Sequence, residues 1–141
     1  MHLFVYGTLM IPEVMRRVTG QSFQAKEGIL RGYARFLVRD ETYPGLMPFP
    51  DVETEGVVYY DLDEDAVRLL DLFEGDMYER VEVNVEAEDH SWVEAETYIV
   101  RPRQRKRLTA KSWDEDEFRT RHLAAFLRDY PGFAHATVRE A

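Results

Sequence analysis

Few residue types in this chain can move a proton or attack a carbonyl. There is no cysteine among its 141 residues, which excludes thiolate nucleophiles, disulfides and cysteine-bound zinc or iron–sulfur centres. The only serines are Ser22, Ser91 and Ser112, and none lies in a G-x-S-x-G turn. Neither a phosphate-cradling G-x-x-x-x-G-K-[ST] nor a G-x-G-x-x-G run occurs. His2, His90, His122 and His135 show no ligand spacing, so the expectation is no metal site. His122 falls on an apolar helical stripe and reads as packing. Carboxylates remain as acid/base groups, and one stands apart. In LLDLFEGDMYERV, residues 69–81, an apolar helix ends on Glu74 and turns at Gly75. A helix C-terminus carries partial negative charge, so a carboxylate there costs about 0.3–1 kcal/mol. Glu74 lies one turn after Leu70, at the border of the apolar face. Partial burial and the negative helix end both raise its pKa, as a general acid/base at neutral pH requires. An ion pair with Arg80 is the structural alternative.

A second candidate is VYGTLM, residues 5–10, where a strand runs into a glycine and a threonine. Gly7 lets the backbone approach a ligand, and successive N–H groups there can hold an anion or a carbonyl oxygen. A plain strand-to-loop turn is the alternative.

The elements that position these residues follow from the pattern. His2–Tyr6 alternates and is aromatic-rich, a strand. Pro12–Thr19 is a helix with proline in its first turn and Gly20 beyond its end. Ala25–Leu30 and Tyr33–Val38 read as short strands around Gly32, and ETYPGLMPFPDVET, residues 41–54, reads as a loop. Glu55–Asp61 is a strand. Asp63 caps a helix whose Ala66, Leu69, Leu70 and Phe73 share one face. Tyr78–Glu88 and Trp92–Val100 form a hairpin. Ser112 and Glu115 have capping-box spacing. Phe118, His122, Ala125, Phe126 and Tyr130 then form a helical stripe, stopped by Pro131-Gly132. Phe4, Leu69, Leu70, Phe73, Val81, Val83 and Phe126 are expected in the core. Strands cluster rather than alternate with helices, which predicts an α+β fold with a mixed, mostly antiparallel, curled sheet.

Length predicts one domain over residues 1–141. Net charge is −9, against nucleic-acid binding. The exception is RPRQRKRLTAK, residues 101–111, with 6 of the 18 Lys and Arg residues, read as a solvated connection or an anionic partner's contact. The apolar start is too short for a signal peptide and no run reaches the roughly 18 residues of a membrane span, so a soluble cytoplasmic protein is the default.

Tyr6-Gly7-Thr8-Leu9, Tyr43-Pro44, Glu55-Gly56 and Leu70-Asp71-x-Phe73-Glu74-Gly75-x-x-Tyr78-x-Arg80 together resemble the gamma-glutamylcyclotransferase-like family. Its branch of plant avirulence-induced proteins and their bacterial relatives also shares Trp113, Phe118, His122 and Phe126 at similar spacing. The resemblance spans roughly residues 2–130. It implies a small mixed, mostly antiparallel β-barrel flanked by helices. It also implies a cofactor-free reaction in which the α-amine of a γ-glutamyl group attacks its own γ-amide, giving 5-oxoproline and a free amine. The residue matching Glu74 is then the general acid/base, and Tyr6, Gly7, Thr8 and Leu9 hold the glutamyl end. In place of the basic residue and glycine that follow the loop in several relatives, this chain has Met10-Ile11-Pro12. A pocket is expected between the Tyr6–Leu9 loop and Glu74, walled by Tyr43, Tyr78 and Tyr98. Tyr6 and Tyr78 rest on the resemblance, whereas Tyr43 and Tyr98 have an equal claim to core packing.

Three functions compete. The first is a γ-glutamyl cyclotransferase or related acyl transferase on a small γ-glutamyl substrate, with glutathione, γ-glutamyl amino acids, γ-glutamylamines and a side-chain-linked amide all fitting. The second is a non-catalytic module binding an amino-acid-like ligand on the same fold. The third is an interaction protein working through residues 101–111. An ionisable Glu74 favours the first. No sequence pattern sets an oligomeric state.

Overall fold

The structure is a computed structural model and describes residues 1–130. Five strands close into a barrel in the order β1-β3-β2-β4-β5: β1 (Leu3–Val5), β2 (Ala25–Leu37), β3 (Pro44–Tyr59), β4 (Tyr78–Ala87) and β5 (Trp92–Val100). All pairs are antiparallel except β1 with β5, a parallel contact at Leu3 and Glu96 that closes the sheet on itself. The buried Thr97 hydroxyl donates to the Phe4 carbonyl at 2.9 Å across that seam. Closure leaves no long free edge on this side. The expected α+β class and mixed, mostly antiparallel barrel are both present.

The β4–β5 hairpin pairs Tyr78 with Val100 and Glu86 with Trp92. Along β4 the alternation holds: Val83, Val85 and Ala87 face inward while Glu82 and Asn84 face solvent. Val81 shares the inner face but is only half-buried, as are Phe73 and Phe126. Phe4, Leu69, Leu70 and Val83 are buried as expected.

The segment 41–54 is not a loop. It forms most of β3, paired with β2 from Pro44–Leu37 to Glu53–Arg31. Proline density misleads here because, among the described residues, this half of β3 has no partner on its other side. An edge tolerates residues without an N–H. The two short strands expected around Gly32 are one strand with a bulge: Arg31 faces Glu53 but Tyr33 faces Pro48, so residues 49–52 arch out opposite Gly32, whose φ is 83°. The strand expected at Glu55–Asp61 is the distal end of β3 and stops at Tyr59.

Helix α1 (Pro12–Thr19) ends at a left-handed Gly20, as its sequence predicts. Helix α2 (Glu64–Glu74) starts at Asp63, whose carboxylate accepts the Ala66 N–H at 2.8 Å. The C-terminal stripe forms two short helices, α3 (Glu115–Arg121) and α4 (Leu123–Asp129), broken at His122. Ser112 is two residues too early to cap the first. Asp114 does so, accepting the Glu117 N–H at 2.9 Å. The stop expected at Pro131-Gly132 lies outside the described residues. Phe118 is buried against Trp113, His122 and Phe126. Arg17 on α1 donates to the Leu127 and Tyr130 carbonyls, tying α4 to the body.

The basic run is not a free connection. Pro102–Arg107 winds into 3-10 turns, and the residues around it are pinned along the end of β2. The Arg39 N–H donates to the Arg107 carbonyl at 2.8 Å, Thr109 N–H to Leu37 at 2.9 Å, and Leu37 N–H to Lys111 at 2.8 Å. Among the described residues no helix is long and apolar enough to cross a membrane.

Candidate active site

The loop that follows β1 and the C-terminal end of α2 line the same cavity. The loop after β1 is built tightly. Gly7 packs against Pro44 so closely that an added Cβ would lie 2.7 and 2.8 Å from the proline ring carbons. Thr8–Met10 make a single 3-10 turn, in which the Gly7 carbonyl accepts from Met10 at 2.9 Å. The buried Tyr59 hydroxyl holds the Leu9 carbonyl at 2.7 Å, and Arg35, stacked over Trp113, holds the Tyr6 carbonyl at 2.7 Å. The carbonyls of this loop are therefore spoken for. Among the described residues, nothing takes the N–H groups of Gly7, Thr8 or Leu9.

Across from the loop, α2 ends on Glu74, and Gly75 turns the chain with φ 71°, a value that L side chains rarely adopt. Between loop and helix end lies a cavity of about 250 Å³. Its lining includes Tyr6, Gly7, Thr8, Leu9, Tyr43, Glu74, Tyr78 and Tyr98, so every residue singled out from the sequence borders one space. Phe73, Met77 and Phe126 add apolar wall, and Arg107 adds a cation.

Three of the tyrosines brace the wall. Tyr6 donates to the Tyr98 carbonyl at 2.6 Å, Tyr78 to the Pro44 carbonyl at 2.8 Å, and Tyr98 to the Asp71 carboxylate at 2.7 Å. Each is thus both packing and pocket, and each keeps its oxygen able to accept a bond. Burial pushes the hydroxyls of Tyr6, Tyr78 and Tyr98 well above the ordinary tyrosine range. Burial also raises Tyr43, with Arg107 opposing it. None of the four serves as a base near neutrality.

Glu74 differs. Burial first, then the nearby Asp71 charge, pushes its carboxyl up to about 8. Among the described residues no hydrogen bond or ion pair engages it. The alternative pairing with Arg80 does not form: Arg80 binds Asp71 through Nε at 3.1 Å and Nη2 at 3.2 Å, and Glu96 through Nη1 at 2.7 Å. Asp71 therefore takes up both Arg80 and the Tyr98 hydroxyl, and Glu74 is left without either donor. Among the described residues no group of His, Asp and Glu is clustered to hold a metal.

Sequence reasoning missed Arg107. Its signal was submerged in a basic run, and only the pairing of residues 107–111 with the end of β2 brings it to the cavity.

A family model described as gamma-glutamyl cyclotransferase, AIG2-like, matches residues 3–115. The chain belongs to this family. AIG2-like protein D of Arabidopsis thaliana is 31% identical over 134 residues, covering 94% of this chain and 88% of that one. A solution structure of another Arabidopsis thaliana protein superposes with a TM-score of 0.71 at 27% identity, covering 90% of this chain and 85% of the other. A structure titled gamma-glutamyl cyclotransferase superposes at 0.62 and 19% identity over 71% and 66% of the two chains, which establishes a shared fold. Within the gamma-glutamyl cyclotransferase, AIG2-like family, the matched segment contains both the glycine loop and Glu74.

Proposed function

We propose that the cavity cyclises γ-glutamyl compounds. The observation that carries this is an unpaired carboxyl, held near a pKa of about 8, facing a loop with free N–H groups across a small cavity. Family membership supports the same reading.

The substrate's α-ammonium gives a proton to the Glu74 carboxylate and the freed amine attacks the γ-carbonyl carbon. A C–N bond closes the five-membered ring as the carbonyl becomes an oxyanion. The oxyanion collapses, and the γ-amide C–N bond breaks as Glu74 returns its proton to the departing nitrogen. The ring nitrogen gives up its second hydrogen by way of the Glu74 carboxylate to the released amine, which leaves as an ammonium. The products are 5-oxoproline and a free amine, with no net proton or electron change. A pKa near 8 keeps both forms of Glu74 populated around neutrality. Nucleophile and electrophile sit in one molecule, so holding the substrate folded supplies much of the acceleration. The N–H groups of Gly7, Thr8 and Leu9 are suited to the substrate carboxylate or the oxyanion. The wall tyrosines fix the cavity's shape and accept from the ammonium.

The test is incubation with glutathione, γ-glutamyl amino acids and γ-glutamylamines, reading 5-oxoproline by mass. At least one class is expected to release 5-oxoproline in proportion to protein. Saturable binding of a γ-glutamyl compound without any release would instead support the non-catalytic binding module.

A further inference from the structure

We propose that Arg107 sets substrate class in this cavity, selecting γ-glutamyl compounds whose leaving amine itself carries a carboxylate. The proposal rests on the γ-glutamyl reading above and deepens it.

Among the described residues lining the cavity, Arg107 is the one cation. Six other arginines are paired with carboxylates: Arg31, Arg68, Arg80, Arg101, Arg119 and Arg128. No such partner engages Arg107 among the described residues. Its backbone is nonetheless fixed. The Arg107 carbonyl accepts from Arg39, and the next residue, Leu108, bridges to Val38. The guanidinium lies near enough to the Tyr43 and Tyr78 hydroxyls to oppose the rise that burial causes in both. A guanidinium beside a cavity, bonded to the Tyr43 hydroxyl but with no carboxylate partner among the described residues, is complementary to a carboxylate, which it can grip with two parallel N–H bonds.

The glutamyl half of the substrate supplies one carboxylate, and the unpaired N–H groups of Gly7–Leu9 offer it a place. A second carboxylate must come from the other half. A γ-glutamyl amino acid has one there and a γ-glutamylamine has none. Phe73, Met77 and Phe126 line the same cavity and suit an apolar side chain on that amino acid.

The test compares γ-glutamylalanine with γ-glutamylethylamine, which differ only by the leaving group's carboxylate. The readout is the ratio of their kcat/KM values in the native protein, Arg107→Gln and Arg107→Lys, each checked by thermal melting. The native ratio is expected to favour γ-glutamylalanine. Arg107→Gln should cut that ratio by about 10-fold or more, the usual weight of a charge-assisted pair. Arg107→Lys should restore part of it, since charge survives but the paired geometry does not. An unchanged ratio in Arg107→Gln, including equal losses on both substrates, overturns the proposal. If the native protein releases no 5-oxoproline from either compound or from glutathione, the cyclisation reading fails by itself. Calorimetric affinities of the two compounds then decide the Arg107 proposal. A native preference for γ-glutamylalanine that Arg107→Gln abolishes upholds it, and equal or absent binding overturns it.

Discussion

Glu74→Gln is expected to lose roughly 10²–10⁴-fold in turnover, the contribution of a positioned general acid/base. The amide keeps the shape and can still donate and accept hydrogen bonds, but it has no acid or base form that titrates near neutral pH. Stability should move the opposite way. Folding raises the Glu74 carboxyl from an ordinary value of 4.5 to about 8, so between those values the folded state binds more proton than the unfolded one. Stability is then full below about 4.5, declines as pH rises through that window, and levels off above about 8. Glutamine removes this decline. The variant should melt close to the native protein in acid and at a higher temperature near pH 8, with the gap opening between. If Glu74 were only a structural ion-pair partner, the signs would reverse, with turnover kept and melting temperature lowered. Activity and melting are best measured on one preparation, with 5-oxoproline release by the native protein as the reference.

Gly56→Ala tests whether the barrel holds the loop where the chemistry needs it. A Cβ at Gly56 would sit 2.6 and 2.8 Å from the Phe4 ring carbons and would also collide with the Val5 carbonyl oxygen. Phe4 is fully buried, so its ring cannot step aside, and Val5 belongs to the short strand that pairs with β3 and leads into Tyr6–Leu9. Overpacking of this kind costs about 1–3 kcal/mol or more. The variant should melt about 5–10 °C lower, given what such an energy means for a chain of this size. Turnover should fall as well, because the strand that shifts carries the loop. An unaltered melting temperature would mean that β1 and β3 can separate freely at this point.

Much of the site was readable because its signals are local. Glu74 breaks the rule for a helix C-terminus, and Gly75 after it marks where the helix must end. The Asp63 cap and the Ala66–Phe73 face fixed the start and orientation of α2, which leaves Glu74 at the border of its buried side. The β4–β5 hairpin was equally legible from its alternation. What escaped depends on pairing between distant segments. Pro44, Pro48 and Pro50 look like loop residues until β3 is seen to have a free side there. Gly32 looks like a break between strands, whereas it faces a four-residue bulge in one long pair. Arg107 looks like one more charge in a solvated run, because the hydrogen bonds that bring it to the cavity reach back to Leu37 and Arg39. Helix α3 begins two residues later than the Ser112–Glu115 spacing suggests, since Asp114 competes for the same role and stands immediately before the first helical residue.

The proposed chemistry requires Glu74 to titrate near neutrality inside the cavity. The most direct measurement is a carbon-13 NMR titration of glutamate side-chain carboxyls, with the Glu74 signal assigned by its loss in Glu74→Gln. One carboxyl should titrate with a midpoint close to 8 and vanish in the variant. A Glu74 midpoint near the ordinary 4.5 would contradict the account, because the carboxylate would then be too weak a base to take the proton from the substrate's ammonium.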